Sequence, residues 1–155
     1  MSPFVFLGGT VGKSNWREPF TKRLMEAGVP ADRIFNPVVP EWTAECQEAE
    51  DIAKRDSEHL LFYICDPEQG GNAISGYSLV EATMCLYDRP QSTVVVFDLS
   101  GITGHVLKSL IKCKRDLRAR FPEGHIFSTA DDAVAYFSQI IAGIRVKSRM
   151  GGFSS

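Results

Sequence analysis

The sequence has no excess of positive charge. Its 155 residues include 17 Lys and Arg against 19 Asp and Glu, which gives a formal net charge of -2. A protein that binds nucleic acid by neutralising phosphates needs a basic surface, so this balance argues against that class. The basic run over 108–120 is more typical of the solvated face of a helix. We therefore expect no nucleic-acid partner.

Long hydrophobic runs are also missing. No apolar stretch approaches the ~18 residues that span a membrane, and no signal peptide fits the first residues. The cysteines form no CxxC motif, and their wide spacing favours reduced thiols over disulfides or a zinc site. The histidines lie in separate segments without the spacing of metal ligands. We expect a soluble cytoplasmic protein with no metal, no cofactor and no membrane partner.

Short apolar runs alternate with amphipathic stretches along the chain. Largely unbroken hydrophobic runs are typical of parallel strands that are buried on both faces. The pattern predicts strands at 3–7, 33–37, 60–65, 92–97 and 125–127, and helices at 16–27, 43–58, 76–87, 103–120 and 129–145. Five such units predict a doubly wound α/β sandwich in a single domain over residues 1–146. We expect residues 147–155 to be a mobile tail.

The helix boundaries carry recognisable signals. Thr43, Thr103 and Ser128 are predicted N-caps, and Gly28 is predicted to end the first helix. In open parallel sheets, ligands bind beyond the carboxyl ends of the strands, near the switch in strand order. Segments rich in Gly, Pro, Asn and Ser follow the first four strands, at 8–15, 36–42, 66–76 and 98–104. We therefore expect the functional site among these segments.

The first of these segments opens with Gly8-Gly9-Thr10 and continues to Gly12. This spacing is not GxGxxG, and the second strand is followed by Asn36 rather than by an acidic residue. It is not a Walker loop either, because the required glycine five residues before Gly12 is absent. The glycines fit two interpretations: a tight turn that needs positive φ, or a backbone that approaches a ligand closely.

Glu81 is the most informative charged residue. It lies early in a predicted helix, in register with Tyr77 and Met84, which look core-facing. A carboxylate on an apolar seam is costly unless it is paired or used in chemistry. Ser78-Leu-Val-Glu81 also fits a capping box, in which Glu81 would only hold a backbone N–H. The residues by themselves leave both alternatives open.

Four stretches in combination resemble the nucleoside 2-deoxyribosyltransferase family, and specifically its short, divergent branch in bacteria and phages. They are FLGGT…WR at 6–17, FNPVVPEWTAEC at 35–46, LLFYICDPEQGG at 60–71 and SGYSLVEATMCLYDRP at 75–90. The resemblance implies a flavodoxin-like sheet of order 2-1-3-4-5. It also implies an enzyme that cleaves the N-glycosidic bond of a nucleoside or nucleotide, transferring the sugar to another base or to water.

The resemblance also implies roles for single residues. Glu81 takes the place of the family nucleophile, which forms a glycosyl ester with the sugar. Asp66 matches the aspartate at the end of strand three that helps protonate the departing base. Ser75 stands where the family has a sugar-binding aspartate, and Phe6 and Leu7 stand where it often has a tyrosine. These departures also fit an alternative function, a non-catalytic module that senses nucleotides with the same pocket.

The remaining expectations concern the substrate. Trp16 or Trp42 would stack on the base, or either would be ordinary packing. Arg17 would meet a 5′-phosphate, or would be a solvated arginine in the first turn of its helix. We expect the remaining contacts with the substrate to come from glycine backbone and from small polar residues, namely Gly8, Gly9, Thr10, Asn36, Ser75, Gly76 and Ser78.

Members of this family complete their pocket with a neighbouring subunit. The resemblance therefore implies a homodimer or a dimer-based tetramer. Tyr77, Met84 and Tyr87 would add apolar area to a helix at such an interface.

Overall fold

Five parallel strands form one sheet, in the order β2-β1-β3-β4-β5, in a computed structural model that describes residues 2–151. The strands are β1 (Val5–Gly9), β2 (Ile34–Phe35), β3 (His59–Ile64), β4 (Thr93–Phe97) and β5 (His125–Phe127). The helices are α1 (Arg17–Ala27), α2 (Ala44–Asp56), α3 (Gly76–Asp88), α4 (Gly104–Arg120) and α5 (Ala130–Gly151). The predicted doubly wound, flavodoxin-like α/β architecture is confirmed.

The apolar strands build a core on each side of the sheet, because successive side chains point to opposite faces. Leu7 of β1 and its register partner Leu61 of β3 face α1 and α5, where Phe20 and Phe137 are buried. The alternate strand positions face α2, α3 and α4, in a second cluster that includes Phe6, Phe62, Val95, Ala82, Leu86 and Leu110. The strand order switches between β1 and β3, so the crevice for a ligand is expected beyond their carboxyl ends.

Helix ends follow their local sequence, with one correction. Thr43 caps α2 by accepting a hydrogen bond from the backbone N–H of Cys46, at 3.3 Å. Gly28 ends α1 in the left-handed region, at φ 112°. Thr103 occupies the N-cap position of α4 without a capping side-chain bond. The prediction for Ser128 was wrong, because Thr129 Oγ1 accepts from the N–H of Asp132 at 3.1 Å and so caps α5.

Two elements differ in length from their predictions. β2 contains only Ile34–Phe35, because Asn36 turns the chain by accepting from the N–H of Val38 at 3.0 Å. α5 extends to Gly151, so residues 147–151 of the predicted mobile tail belong to a helix. Residues 152–155 lie outside the described residues. None of the helices in the described part of the chain is long and apolar enough to cross a bilayer.

Candidate functional site

A cavity of about 290 Å³ lies at the carboxyl end of β1, where the switch in strand order predicts a ligand site. Its walls come from the glycines of β1, from the loop after β2, and from single residues of α1 and α2. The start of α3 closes it with Ser75, Tyr77, Ser78 and Glu81. Elements that are distant in sequence therefore converge on one small space.

Glu81 is a buried carboxylate in this cavity, with only 6% of its surface exposed. α3 begins at Gly76, and Ser75 caps it by accepting from the N–H of Ser78 at 3.5 Å. Glu81 lies more than one turn inside the helix, beyond the orphan N–H groups that a capping box satisfies. The structure therefore contradicts the capping interpretation of Ser78 and Glu81.

Lys54 of α2 forms an ion pair with Oε2 of Glu81. The ammonium also lies 5.6 Å from the centre of the Phe6 ring, which forms part of the cavity wall. Burial lowers the pKa of Lys54, but the hydrogen bond and the charge of Glu81 outweigh it, so the net pKa is raised. Glu81 thus has a permanent counter-charge at neutral pH.

Glu50 lies one helical turn before Lys54 and lines the same cavity. Burial raises the pKa of the Glu50 carboxyl, the charge of Lys54 opposes that change, and the charge of Glu81 adds to it. The net pKa is above its ordinary value. The cavity therefore holds two carboxyl groups in different environments: Glu81 is bonded to an ammonium, and the pKa of Glu50 is above the ordinary value of a glutamate.

Arg17 is buried, with 8% of its surface exposed, so it is not the solvated arginine that was one of the two expectations. Its guanidinium donates to the carbonyls of Leu7 (3.2 Å), Thr10 (2.8 Å) and Gly9 (3.3 Å). Burial lowers the pKa of Arg17 to about 10, so it remains a cation at neutral pH. Its donors satisfy the carboxyl end of β1 rather than being directed at a phosphate.

The two tryptophans have different environments. Trp16 is in the core, where its ring stacks on Tyr63 with centroids 4.7 Å apart and its Nε1 donates to the Thr10 carbonyl at 2.9 Å. It is therefore not available to a base, and of the two expectations for Trp16 the packing alternative is the correct one. Trp42 lines the cavity with 64% of its surface exposed, which leaves an aromatic face open to a ligand.

Four of the predicted backbone and polar residues line the cavity, namely Gly8, Gly9, Ser75 and Ser78. Gly9 has φ 118°, and a Cβ there would lie 2.2 Å from the carbonyl oxygen of Tyr63. The expected positive φ is thus present at Gly9, but at the last residue of β1 rather than in a tight turn. Because Gly9 has no side chain, its backbone itself forms part of the cavity wall.

The structure does not bring the other predicted residues to the cavity. Thr10 ties β1 to β3, since its Oγ1 accepts from the Cys65 N–H at 2.9 Å and donates to the Cys65 carbonyl at 3.2 Å. Asp66 Oδ1 accepts from the N–H of Glu68 at 2.9 Å and from Asn72 Nδ2 at 3.1 Å. Asn36 shapes the turn after β2, and Gly76 is exposed at the start of α3.

Tyr77 and Met84 do not face the core, contrary to their predicted orientation. Tyr77 is 65% exposed, and Val80, Met84 and Tyr87 are exposed beside it. The buried face of α3 is instead formed by Ser78, Glu81, Ala82 and Leu86. We refer to Tyr77, Val80, Met84 and Tyr87 as the α3 stripe.

Glu50 and Lys54 were not among the predicted site residues. Their spacing of four residues shows that they share one face of α2. Periodicity cannot show that this face meets Glu81, which lies 27 residues further along the chain from Lys54. A charged i,i+4 pair on a predicted helix is usually solvated, so only the tertiary structure distinguishes this one.

Comparisons of the chain with protein-family models, with curated proteins and with solved structures found no match. Within residues 2–151, no group of three His, Cys, Asp or Glu side chains is placed to hold a metal ion. The fold and site define an α/β protein of flavodoxin-like topology with a carboxylate cavity at the switch point of its sheet.

Proposed function

We propose that the protein cleaves the N-glycosidic bond of a nucleoside, with Glu81 as the nucleophile. The observation that carries this proposal is the position of Glu81: a buried carboxylate in a cavity at the switch point, held by Lys54 and not used as a cap. Buried carboxylates are rare without a partner or a chemical role. The resemblance to nucleoside 2-deoxyribosyltransferases supports the same residue in the same role.

The reaction follows the scheme of retaining glycosidases. A Glu81 oxygen attacks the anomeric carbon, and the base leaves with the electron pair of the broken C–N bond. We assign the attack to Oε1, because Oε2 is bonded to Lys54. Water or a second base then displaces Glu81 from the glycosyl ester, which gives hydrolysis or transfer.

The cavity favours an uncharged nucleoside over a nucleoside 5′-monophosphate. Trp42, Val38 and Val39 offer an apolar wall for a base. The two cations of the site already have partners, since Lys54 bonds Glu81 and Arg17 bonds three carbonyls. Among residues 2–151, a phosphate would therefore meet two glutamates, together with two cations that already have partners.

The proposed assembly is a homodimer, or a tetramer made of dimers, that buries the α3 stripe. Four large apolar side chains are exposed along this one helix, and Tyr77 also belongs to the cavity wall. Exposed apolar area of this kind marks interaction surfaces. Light scattering should give at least twice the chain mass of 17.2 kDa. A monomer at micromolar concentration would refute the assembly.

The proposed reaction is tested by incubating the protein with deoxynucleosides and separating the released base by chromatography. Glu81→Gln keeps the size of the side chain and an oxygen for Lys54, but glutamine cannot form the glycosyl ester. Turnover should fall on the order of 10³-fold or more, with an unchanged circular dichroism spectrum. Full activity of Glu81→Gln would refute the nucleophile.

Two observations favour the alternative of a nucleotide-sensing module. Ser75 occupies the place of the sugar-binding carboxylate, and Lys54 neutralises Glu81. A module of that kind would bind nucleosides or nucleotides in the cavity and release no base. The same assay, run beside calorimetric titration of the wild-type protein, separates binding without cleavage from catalysis.

A further inference from the structure

Cleavage of a nucleoside needs a proton donor for the departing base, and the structure does not bring Asp66 to that task. Its Oδ1 is engaged by the loop after β3. Its Oδ2 points towards Gly101, where an added Cβ would be only 2.8 Å away. Asp66 is also absent from the residues that line the cavity. Among residues 2–151, the donor is therefore to be sought on another wall of the cavity.

Glu50 is the second carboxyl group of that cavity. It reaches the cavity from α2, whereas Glu81 reaches it from α3, so the two side chains enter the same cavity from different helices. Lys54 lies one turn after Glu50 in α2. Of the two carboxyl groups, it forms its hydrogen bond with that of Glu81. The single ammonium therefore makes the two carboxyls unequal, which is the usual basis for dividing nucleophile and acid roles between a pair.

We propose that Glu50 is the general acid and base of the reaction, a role that rests on the proposed N-glycosidic cleavage. Protonated Glu50 donates its proton to a ring nitrogen of the base as the C–N bond breaks and Glu81 bonds to the anomeric carbon. The products of this step are the neutral base, the glycosyl ester and the Glu50 carboxylate.

The second step returns every group to its starting state. The Glu50 carboxylate removes a proton from water, and the water oxygen bonds to the anomeric carbon. The ester bond breaks with its electron pair returning to Glu81. The sum is one nucleoside and one water giving one base and one sugar. The raised pKa of Glu50, caused by burial and by the charge of Glu81, suits a group that must hold a proton before the first step.

Glu50→Gln tests this role with two substrates that differ in their leaving group. For a deoxynucleoside, whose base needs a proton, kcat should fall about 10²–10⁴-fold. For a nitrophenyl 2-deoxyriboside, whose nitrophenolate leaving group needs no proton, the first turnover should keep the wild-type rate. Azide, which attacks without a base, should restore the second step. The alkaline limb of the wild-type pH profile should also disappear in Glu50→Gln.

Glu48→Gln is the matched control, because Glu48 is an exposed glutamate of the same helix outside the cavity wall. It should behave as wild type on both substrates. An equal loss on both substrates in Glu50→Gln, or no loss on either, would overturn the role of Glu50 alone. A selective loss in Asp66→Asn would give the role to Asp66. A wild-type protein that cleaves neither substrate would overturn the proposed function and this role together.

Discussion

Single residues of the cavity show what holds Glu81, the proposed nucleophile, in the absence of the tyrosine common in the family that the chain resembles. Phe6 stands near that place and has no hydroxyl to donate. Lys54 lies over the Phe6 ring and donates to Glu81 instead. Burying a carboxylate costs several kcal/mol unless it is paired with good geometry. The lysine therefore supplies both the counter-charge and the orientation of Glu81.

The two tryptophans give a prediction at the same scale. Trp42→Ala should weaken nucleoside binding by ~1–3 kcal/mol, because an exposed indole in the cavity wall is lost. The free energy of unfolding of Trp42→Ala should be unchanged. Trp16→Ala should instead lower the free energy of unfolding by ~3–5 kcal/mol, because it empties a site packed against Tyr63. Calorimetric titration and urea unfolding of both variants measure the two effects. Unweakened binding by Trp42→Ala would exclude base stacking there.

At the scale of elements, β1 and β3 are in close contact at Gly9, which also lines the cavity. An alanine at Gly9 would be strained by its positive φ and would meet the backbone of Tyr63. Gly9→Ala should therefore destabilise the protein by at least ~3 kcal/mol. Gly70→Ala is the matched control, because nothing lies within 4 Å of the added Cβ. Urea unfolding should separate the two, and equal stabilities would contradict the close approach.

The elements themselves were largely predictable. Unbroken apolar runs such as 60–65 predict buried parallel strands, and β3 covers His59–Ile64. Capping residues located α2 and the end of α1 because they satisfy backbone groups locally. The errors arose where two local signals compete, as for Ser128 and Thr129. The orientation of α3 was also misjudged, since the exposed α3 stripe is more apolar than an ordinary solvated face.

Much less of the site could be predicted. Glu81 and Trp42 were located from motifs, and their roles stay predictions. The bonds that Arg17 and Trp16 make to the Thr10 carbonyl were not predicted, because only the folded chain brings this carbonyl, directly after β1, near them. The contact between Lys54 and Glu81 joins two helices. Such contacts depend on how helices pack on the sheet, which a single sequence does not encode in any local pattern.

For the molecule as a whole, the two ends of the sheet carry different chemistry. The cavity lies at the carboxyl end, whereas His59 and His125 begin β3 and β5 at the other. Nδ1 of His59 is buried without a hydrogen-bond partner among residues 2–151. Burial lowers the pKa of both histidines; Arg89 and His125 also lower that of His59, although Glu58 opposes them. Both rings are therefore favoured in their neutral form by folding.

The lowered pKa values of His59 and His125 give the stability of the protein a pH dependence of definite sign. In the unfolded chain a histidine binds its proton near pH ~6.5, whereas the folded chain does so only at lower pH. Stability should fall as the pH decreases below ~6.5, by up to ~1.4 kcal/mol per pH unit for His59 and by less for His125, whose greater exposure to solvent screens it. His59→Phe should reduce this slope. Urea unfolding of both proteins between neutral pH and about pH 5 checks this, and parallel curves would exclude His59 as a contributor.

The measurement that tests the central claim most directly is the mass of the protein after reaction with a 2-fluoro-2-deoxy nucleoside. Fluorine destabilises the positive charge that develops on the sugar and so slows both steps. A good leaving base keeps the first step fast, so the glycosyl ester forms faster than it breaks down and accumulates. Mass spectrometry should show the protein heavier by one fluorosugar, and peptide mapping should place it on Glu81. An adduct on any other residue would contradict the assignment of Glu81 as the nucleophile.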